Sequence, residues 1–338
     1  MPAVILQEQP STATTDPNVV AVPSPRTGVD WSIAAPLLLA HGLSLAAPWV
    51  FTWIGFVLFI LFYLVSGSGV TLGAHRLFTH QTFRAKPILR RSLLLMFMLS
   101  AQGSLLRWVR DHHIHHAFAD REGDPHTPQA GDGFWNAQLT WLWKSPPSAA
   151  ENKRLYERFG SRLRDDAWVA ASARPAVLLS FHLAVMAAVY LFGACMEAGF
   201  AWSSMLAGWY TGLSCLVWGI FLRIIAVLHA TSLVNSAAHL WGSRRYATAE
   251  GSRNNGWVAI LSLGEGWHNN HHARPAAANQ GFHAWWEFDL SFCLLCLAAR
   301  LGLATDLRVY RADRGKTEIW FPSKRIKNTT RCENGECD

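Results

Sequence analysis

Between Asp30 and Arg76 the chain carries no Asp, Glu, Lys or Arg. One bilayer crossing takes about 20 residues, so a run of this length predicts two passes. Pro48 and Trp49 near its middle mark an uncharged connection, which sets expected spans at about 32–48 and 50–74. Two further uncharged runs, Pro175 to Met196 and Ala198 to Leu222, flank Glu197 and predict a second pair at 175–196 and 198–222. The expectation is an all-α integral membrane protein with four transmembrane helices in two hairpins. Composition agrees, with 51% hydrophobic and 16% charged residues, against a quarter or so charged in soluble domains. The same figures exclude wholesale disorder. Six cysteines, two of them in the polar tail, make no disulfide scaffold.

Lys and Arg placement sets the orientation. Arg76, Arg84, Lys86, Arg174 and Arg223 flank one side of the spans, while the two expected hairpin connections hold neither residue. Both termini and the segments 75–174 and 224–338 are therefore expected in the cytoplasm. The 17 tryptophans suit membrane interfaces. The charge of +7 suits an anionic lipid surface or an acidic partner, and no nucleic-acid partner is expected. Residues 1–30 lack a basic, signal-like start and read as a disordered leader. The domain proper is expected over 31–310, with 311–338 a loose polar tail. The apolar runs 88–106 and 289–303 are interrupted or short, and read as interfacial or cap-packing helices. The CLLC of Cys293 to Cys296 lies in the second run and reads as ordinary packing.

Nine of the 15 histidines fall in spaced clusters, all in segments assigned to the cytoplasm and none inside an expected span. His75 and His80 form HxxxxH; His112, His115 and His116 form HxxHH; His268, His271 and His272 form a second HxxHH; His239 follows Asn235 in NSAAH. On a helix, positions i, i+3 and i+4 share a face, yet the adjacent pair diverges by about 100°, so one HxxHH can serve two metals. Imidazole suits iron, zinc, copper or nickel. Nine histidines and an asparagine oversupply one zinc, which takes three or four protein ligands, and suit a two-metal centre. Only Glu265 to His268 matches the Glu-x-x-His of soluble di-iron bundles. Asp111, Asp124 and Glu265 are left either to orient imidazoles or to serve structural ends.

The blocks GAHRLFTH (73–80), RWVRDHHIHHAFAD with GDPH (107–126), LVNSAAHLWG (233–242) and GEGWHNNHHARP (264–275), in this order among four expected spans, resemble the integral-membrane fatty-acid desaturases of the stearoyl-type Δ9 group. The resemblance covers about 32–300. It implies a cytoplasmic helical cap holding two irons on His75, His80, His112, His115, His116, His239, His268, His271 and His272, with Asn235 reaching a metal through water. It also implies O2-dependent insertion of a cis double bond into a saturated acyl chain carried on CoA or lipid. Trp108 and Thr231 then fall where the acyl cavity bends, and Tyr63 and Gly67 near its closed end. GEGWHNNHH and WWEFD (285–289) look closer to the bacterial and cyanobacterial branch.

Two departures stand out. His113 makes the second box HHIHH and opens an alternative ligand frame, and Lys144 is the one basic residue in Trp143-Lys144-Ser145-Pro146, where acyl-CoA enzymes of the family often carry two. No fused haem domain is visible, so the resemblance implies a separate electron donor, a ferredoxin or a cytochrome b5-like protein. The competing readings are a related di-iron hydroxylase of alkanes, sterols or carotenoids, and a metal transporter.

Overall fold

The computed structural model describes residues 22–24, 26, 28–129, 133–160, 163–197 and 208–320. The described residues are mostly helical, and three helices are long and apolar enough to cross a membrane: Trp53–Thr79, Pro175–Glu197 and Trp209–Leu240. A fourth apolar helix, Trp31–Ser44, has 14 residues and is followed by a 3-10 turn at Ala47–Val50. We label the helices that position the site α1 (Trp31–Ser44), α2 (Trp53–Thr79), α3 (Pro87–Leu99), α4 (Leu105–Phe118), α5 (Pro175–Glu197), α6 (Trp209–Leu240), α7 (His268–Ala273) and α8 (Leu290–Arg300).

Three expected boundaries move. The second span starts at Trp53, because Thr52 is extended and its hydroxyl caps the helix by accepting from Gly55 N at 3.1 Å. It then runs on to Thr79, five residues past the expected end. The last span reaches Leu240 instead of stopping at 222, and the first ten residues expected of it, 198–207, lie outside the described residues. As a result His75 and His239 sit on the cap-side ends of α2 and α6, not beyond the apolar helices.

The helices approach closely where glycine removes a side chain. A Cβ on Gly193 would come within 2.7 Å of Thr211 O, which lets α5 and α6 pack backbone to backbone. A Cβ on Gly69 would fall 2.2 Å from the Met96 backbone, which holds α3 against α2. Only 11% of the most apolar stretch of α5 is buried in protein, so the rest of its apolar surface faces outward.

Two short antiparallel pairs depart from an all-α chain: Arg84–Ala85 with Ala304–Thr305, and Leu307–Arg311 with Lys316–Trp320. The second carries regular structure to Trp320, past the expected start of the tail at 311, with Leu307 and Tyr310 buried. The leader is likewise not loose to its end. Pro23 is buried, Ser24 N donates to Glu151 Oε1 at 2.7 Å, and Val29 pairs with Lys144.

Candidate metal centre

The first box owes its geometry to the backbone of α2. From Gly69 to Thr79 the hydrogen bonds run i to i+5, a π-helical arrangement found mainly at functional sites. Residues five apart are then about one turn apart, and the His75 and His80 rings meet with centroids 4.8 Å apart. In an α-helix the same spacing would turn them about 140° away from each other.

On α4 the angular divergence separates neighbours. His112 and His116, one turn apart, face the first box, while His115 faces the other way. α7 repeats the pattern with His271 on one side and His268 and His272 on the other. Two groups result: His75, His80, His112, His116 and His271, and His115, His239, His268 and His272, each with its candidate ligand atoms within 4.8 Å of one another. The Nε2 atoms converge. His80 to His112 and His112 to His116 are both 3.0 Å, His116 to His271 is 3.1 Å and His75 to His271 is 3.2 Å. In the second group His239 to His268 and His268 to His272 are 3.0 Å, and His115 to His272 is 3.3 Å.

Carboxylates behind the rings decide which nitrogens carry protons. His75 Nδ1 donates to Glu265 at 2.6 Å, His115 Nδ1 to Asp124 at 2.9 Å and His239 Nδ1 to Asp120 at 2.8 Å, while Glu250 lies 3.4 Å from His272 Nδ1. In a neutral ring each Nδ1 donation leaves Nε2 as a bare lone pair. His115 and His272 bring their Nε2 atoms within 3.3 Å of each other, close enough for one cation to be held by both. Burial, reinforced by the neighbouring imidazoles, pushes His112, His116, His268, His271 and His272 well below the usual histidine range. They are neutral at pH 7, the ligating form. Burial acts the same way on His115, but Asp124, with Asp120 and Glu250, outweighs it and raises its pKa. The donor set thus fits two imidazole-ligated metals.

Glu265 is itself held in place. Its buried carboxylate accepts from Arg76 Nη2 at 3.1 Å and from Gln280 Nε2 at 2.6 Å. Burial pushes it up, but His75 and Arg76 outweigh that and bring it down to about 2. Arg76 also reaches Asp289 at 3.0 Å and Ala278 O at 2.7 Å. Counted in the sequence as a flanking charge, Arg76 is in fact 1% exposed and sits inside the cap. Asp289 in turn caps α8 by accepting from Phe292 N.

Of the three acidic residues singled out, Asp124 and Glu265 meet imidazoles and Asp111 does not. Asp111 is ringed by Arg26, Arg107 and Arg110, which outweigh the effect of burial and hold its carboxyl well below the usual range. Sequence reasoning missed Asp120 and Glu250. Asp120 was within reach, since it closes the second box four residues after His116; Glu250 comes from a loop and left no signal. His113 belongs to neither group, with its ring 6.4 Å from His80.

Two cavities meet beside these histidines. A narrow one, about 50 Å³, is lined by Tyr63, Gly67 and Val70 of α2, and a wider one, about 420 Å³, by α1, α5, α6 and the cap. Trp108, His112, Thr231 and Asn235 line both. Gln102, also missed, braces that junction: it accepts from Trp108 Nε1 at 3.2 Å and donates to Thr231 Oγ1 at 3.0 Å. At the far end Tyr63 OH donates to Leu261 O at 2.6 Å. Lys144 lines neither cavity.

A sequence model of the fatty acid desaturase family matches residues 32–295, which include all nine clustered histidines. The sn-1 stearoyl-lipid 9-desaturase of Anabaena variabilis is 36% identical over 78% of this chain and 87% of its own length. Delta-9 acyl-lipid desaturase 2 of Arabidopsis thaliana is 34% identical over 80% of each chain. Acyl-CoA 5-desaturase AL21 of Anemone leveillei is 36% identical over 80% of this chain and 76% of its own. With the family match running through every histidine box and these relatives aligned over most of both chains, the chain belongs to the fatty acid desaturase family, and its activity is that of an oxidoreductase acting on fatty-acyl chains.

Proposed function

We propose that the protein is a di-iron Δ9 desaturase of saturated acyl chains carried on glycerolipid. The observation that carries this reading is the pair of opposed, carboxylate-backed imidazole groups at the junction of two cavities. Two irons, when bound, supply the redox capacity that zinc lacks, using O2 and two external electrons to remove hydrogens from an unactivated methylene pair. The chain's own residues do the rest. The nine histidines ligate, and Asn235 contributes through water. Glu265, Asp124 and Asp120 hold the ring protons on Nδ1, so every orienting contact points a lone pair inward.

Trp108, Gln102 and Thr231 fix the wall where the acyl chain turns past the histidines, and Tyr63 and Gly67 close its methyl end. The lipid carrier is supported by the wide cavity's walls, which include Ile33, Leu37 and Ala40 of α1 and Met186 of α5, two apolar helices. Relatives named as acyl-lipid desaturases support it too. Lys144, two residues after the lining Leu142 but itself lining neither cavity, is a headgroup contact at most.

The topology that serves this chemistry has α1, with the turn after it, as a fourth span, and the cap and both termini in the cytoplasm. Exposed Trp49, Trp53 and Trp209 at one end and Trp31 and Trp168 at the other fit the two interfaces. Electrons come from an acidic ferredoxin or cytochrome b5-like donor meeting the basic cytoplasmic face. The relatives do not favour a hydroxylase.

The test is product analysis with lipid classes separated, in cells expressing the protein. Oleoyl chains forming within intact glycerolipid are expected; hydroxylated products, or oleate appearing first as oleoyl-CoA, would overturn the reaction or the carrier respectively.

A further inference from the structure

Seven buried side-chain polar atoms among the described residues have no hydrogen-bond partner, and three of the residues that bear them line the wide cavity: His126 with Nδ1, Trp141 with Nε1 and His182 with Nε2. Native proteins leave few such atoms unpaired, so their gathering in one cavity marks where its occupant is polar. Trp141 is the most informative. An indole N–H only donates, and its missing partner must be an acceptor. His182 Nδ1 donates to Leu178 O at 2.8 Å, which leaves Nε2 an acceptor only; it plays no part in binding another acceptor.

The placement of Trp141 connects it to the metal centre. Its indole packs edge-on against His126, centroids 4.9 Å apart, and the His126 ring lies 4.4 Å from that of His115. His126 is 4% exposed and locked in this stack. The donor is thus two ring contacts from a metal-facing histidine, in a cavity whose lining mixes apolar residues such as Leu37, Leu142 and Ile224 with polar ones such as Gln102, Arg107 and Asp111. An acyl chain crossing the junction has one strong acceptor near its carrier, the carbonyl oxygen of its ester or thioester.

We propose that the Trp141 N–H, braced by His126, donates a hydrogen bond to the acyl carbonyl and so sets the distance, counted from the carboxyl end, at which the chain is desaturated. This rests on the acyl-desaturase reading of the same cavity. It makes Trp141 a substrate-anchoring residue, and position along the chain is measured from a fixed donor, not from the methyl end.

The experiment compares binding and product position in iron-loaded enzyme, using sn-1-stearoyl glycerolipid against its octadecyl-ether analogue, and stearoyl-CoA against its S-octadecyl thioether. The wild type is expected to bind the carbonyl-bearing member about tenfold more tightly in whichever carrier it uses, the size of one neutral hydrogen bond. Trp141→Phe should lose that preference and spread the double bond over neighbouring positions at unchanged iron content, and Trp141→His, which restores an N–H, should recover part of both. Equal wild-type binding of both members in both carriers would overturn the anchor, as would Trp141→Phe with unchanged preference and an unmoved double bond. The analogue comparison needs no variant to fold. Carbonyl preference without any double-bond formation would contradict the reaction and leave the anchor standing.

Discussion

The five-histidine group and the four-histidine group are built to different plans. In the first, among the described residues, only His75 meets a carboxylate, and that carboxylate, Glu265, is clamped by Arg76 and Gln280. In the second, three of four imidazoles are backed by Asp124, Asp120 and Glu250. One site is rich in ligands and lean in charge; the other has fewer ligands and more anionic support. Nearby carboxylates raise imidazole basicity and fix ring orientation, so the second group is expected to depend on each residue more strongly, and the first to tolerate loss of a ligand as far as metal retention goes.

The largest effect tests that difference directly. His239→Ala removes one of four and His271→Ala one of five. Both should cut activity at least about a hundredfold, an expectation scaled from losses of 10- to 100-fold on removing mere supporting residues. Iron should fall by about one ion per chain in His239→Ala and by less in His271→Ala. Equal retention in both would remove the distinction.

Next come the carboxylates. Glu265→Gln and Asp124→Asn should each lower activity or iron affinity roughly 10- to 100-fold. Glu265→Gln should also lower the melting temperature, because it unbalances the buried Arg76 charge and breaking such a pair costs about 3–5 kcal/mol, here partly offset by Asp289. The Asp124 carboxylate pairs with no arginine among the described residues, so Asp124→Asn should melt close to the wild type. Thermal melts of the two variants check it.

The comparison also shows where the sequence was readable. The angular spacing within HxxHH is a property of any helix, and it is what sends His112 and His116 one way and His115 the other. HxxxxH was not legible in the same manner: whether His75 and His80 meet depends on the i to i+5 backbone of Gly69–Thr79, which no residue pattern in that box announced. The uncharged runs located the apolar helices, but not their cap-side ends. Nothing local stops α2 or α6 at a membrane boundary, and both continue into the cap where tertiary packing satisfies them. Arg76 misled because it flanks a span in sequence while two carboxylates from segments about 190 and 210 residues later bury it. Asp111 misled for the opposite reason, since it stands beside a ligand in sequence but its partners are arginines.

A smaller effect concerns the apolar half of the molecule. A Cβ on Gly67 would come 2.9 Å from Leu263 Cδ1 at the end of the narrow cavity. Gly67→Leu should shift preference from stearoyl toward palmitoyl chains by roughly tenfold, the scale of discrimination in apolar pockets, with the double bond unmoved from the carboxyl end. Competition between the two acyl chains measures it, and an unchanged ratio in iron-loaded protein would count against the closed end. The smallest effect is expected of His113→Ala, whose ring lies outside both groups; activity should stay within about twofold, and a large loss would move ligand status to the alternative frame.

Metal content of purified, active enzyme tests the central claim most directly. The account predicts two irons per chain in the wild type, with His239→Ala retaining about one. One zinc and no iron in fully active protein would contradict it.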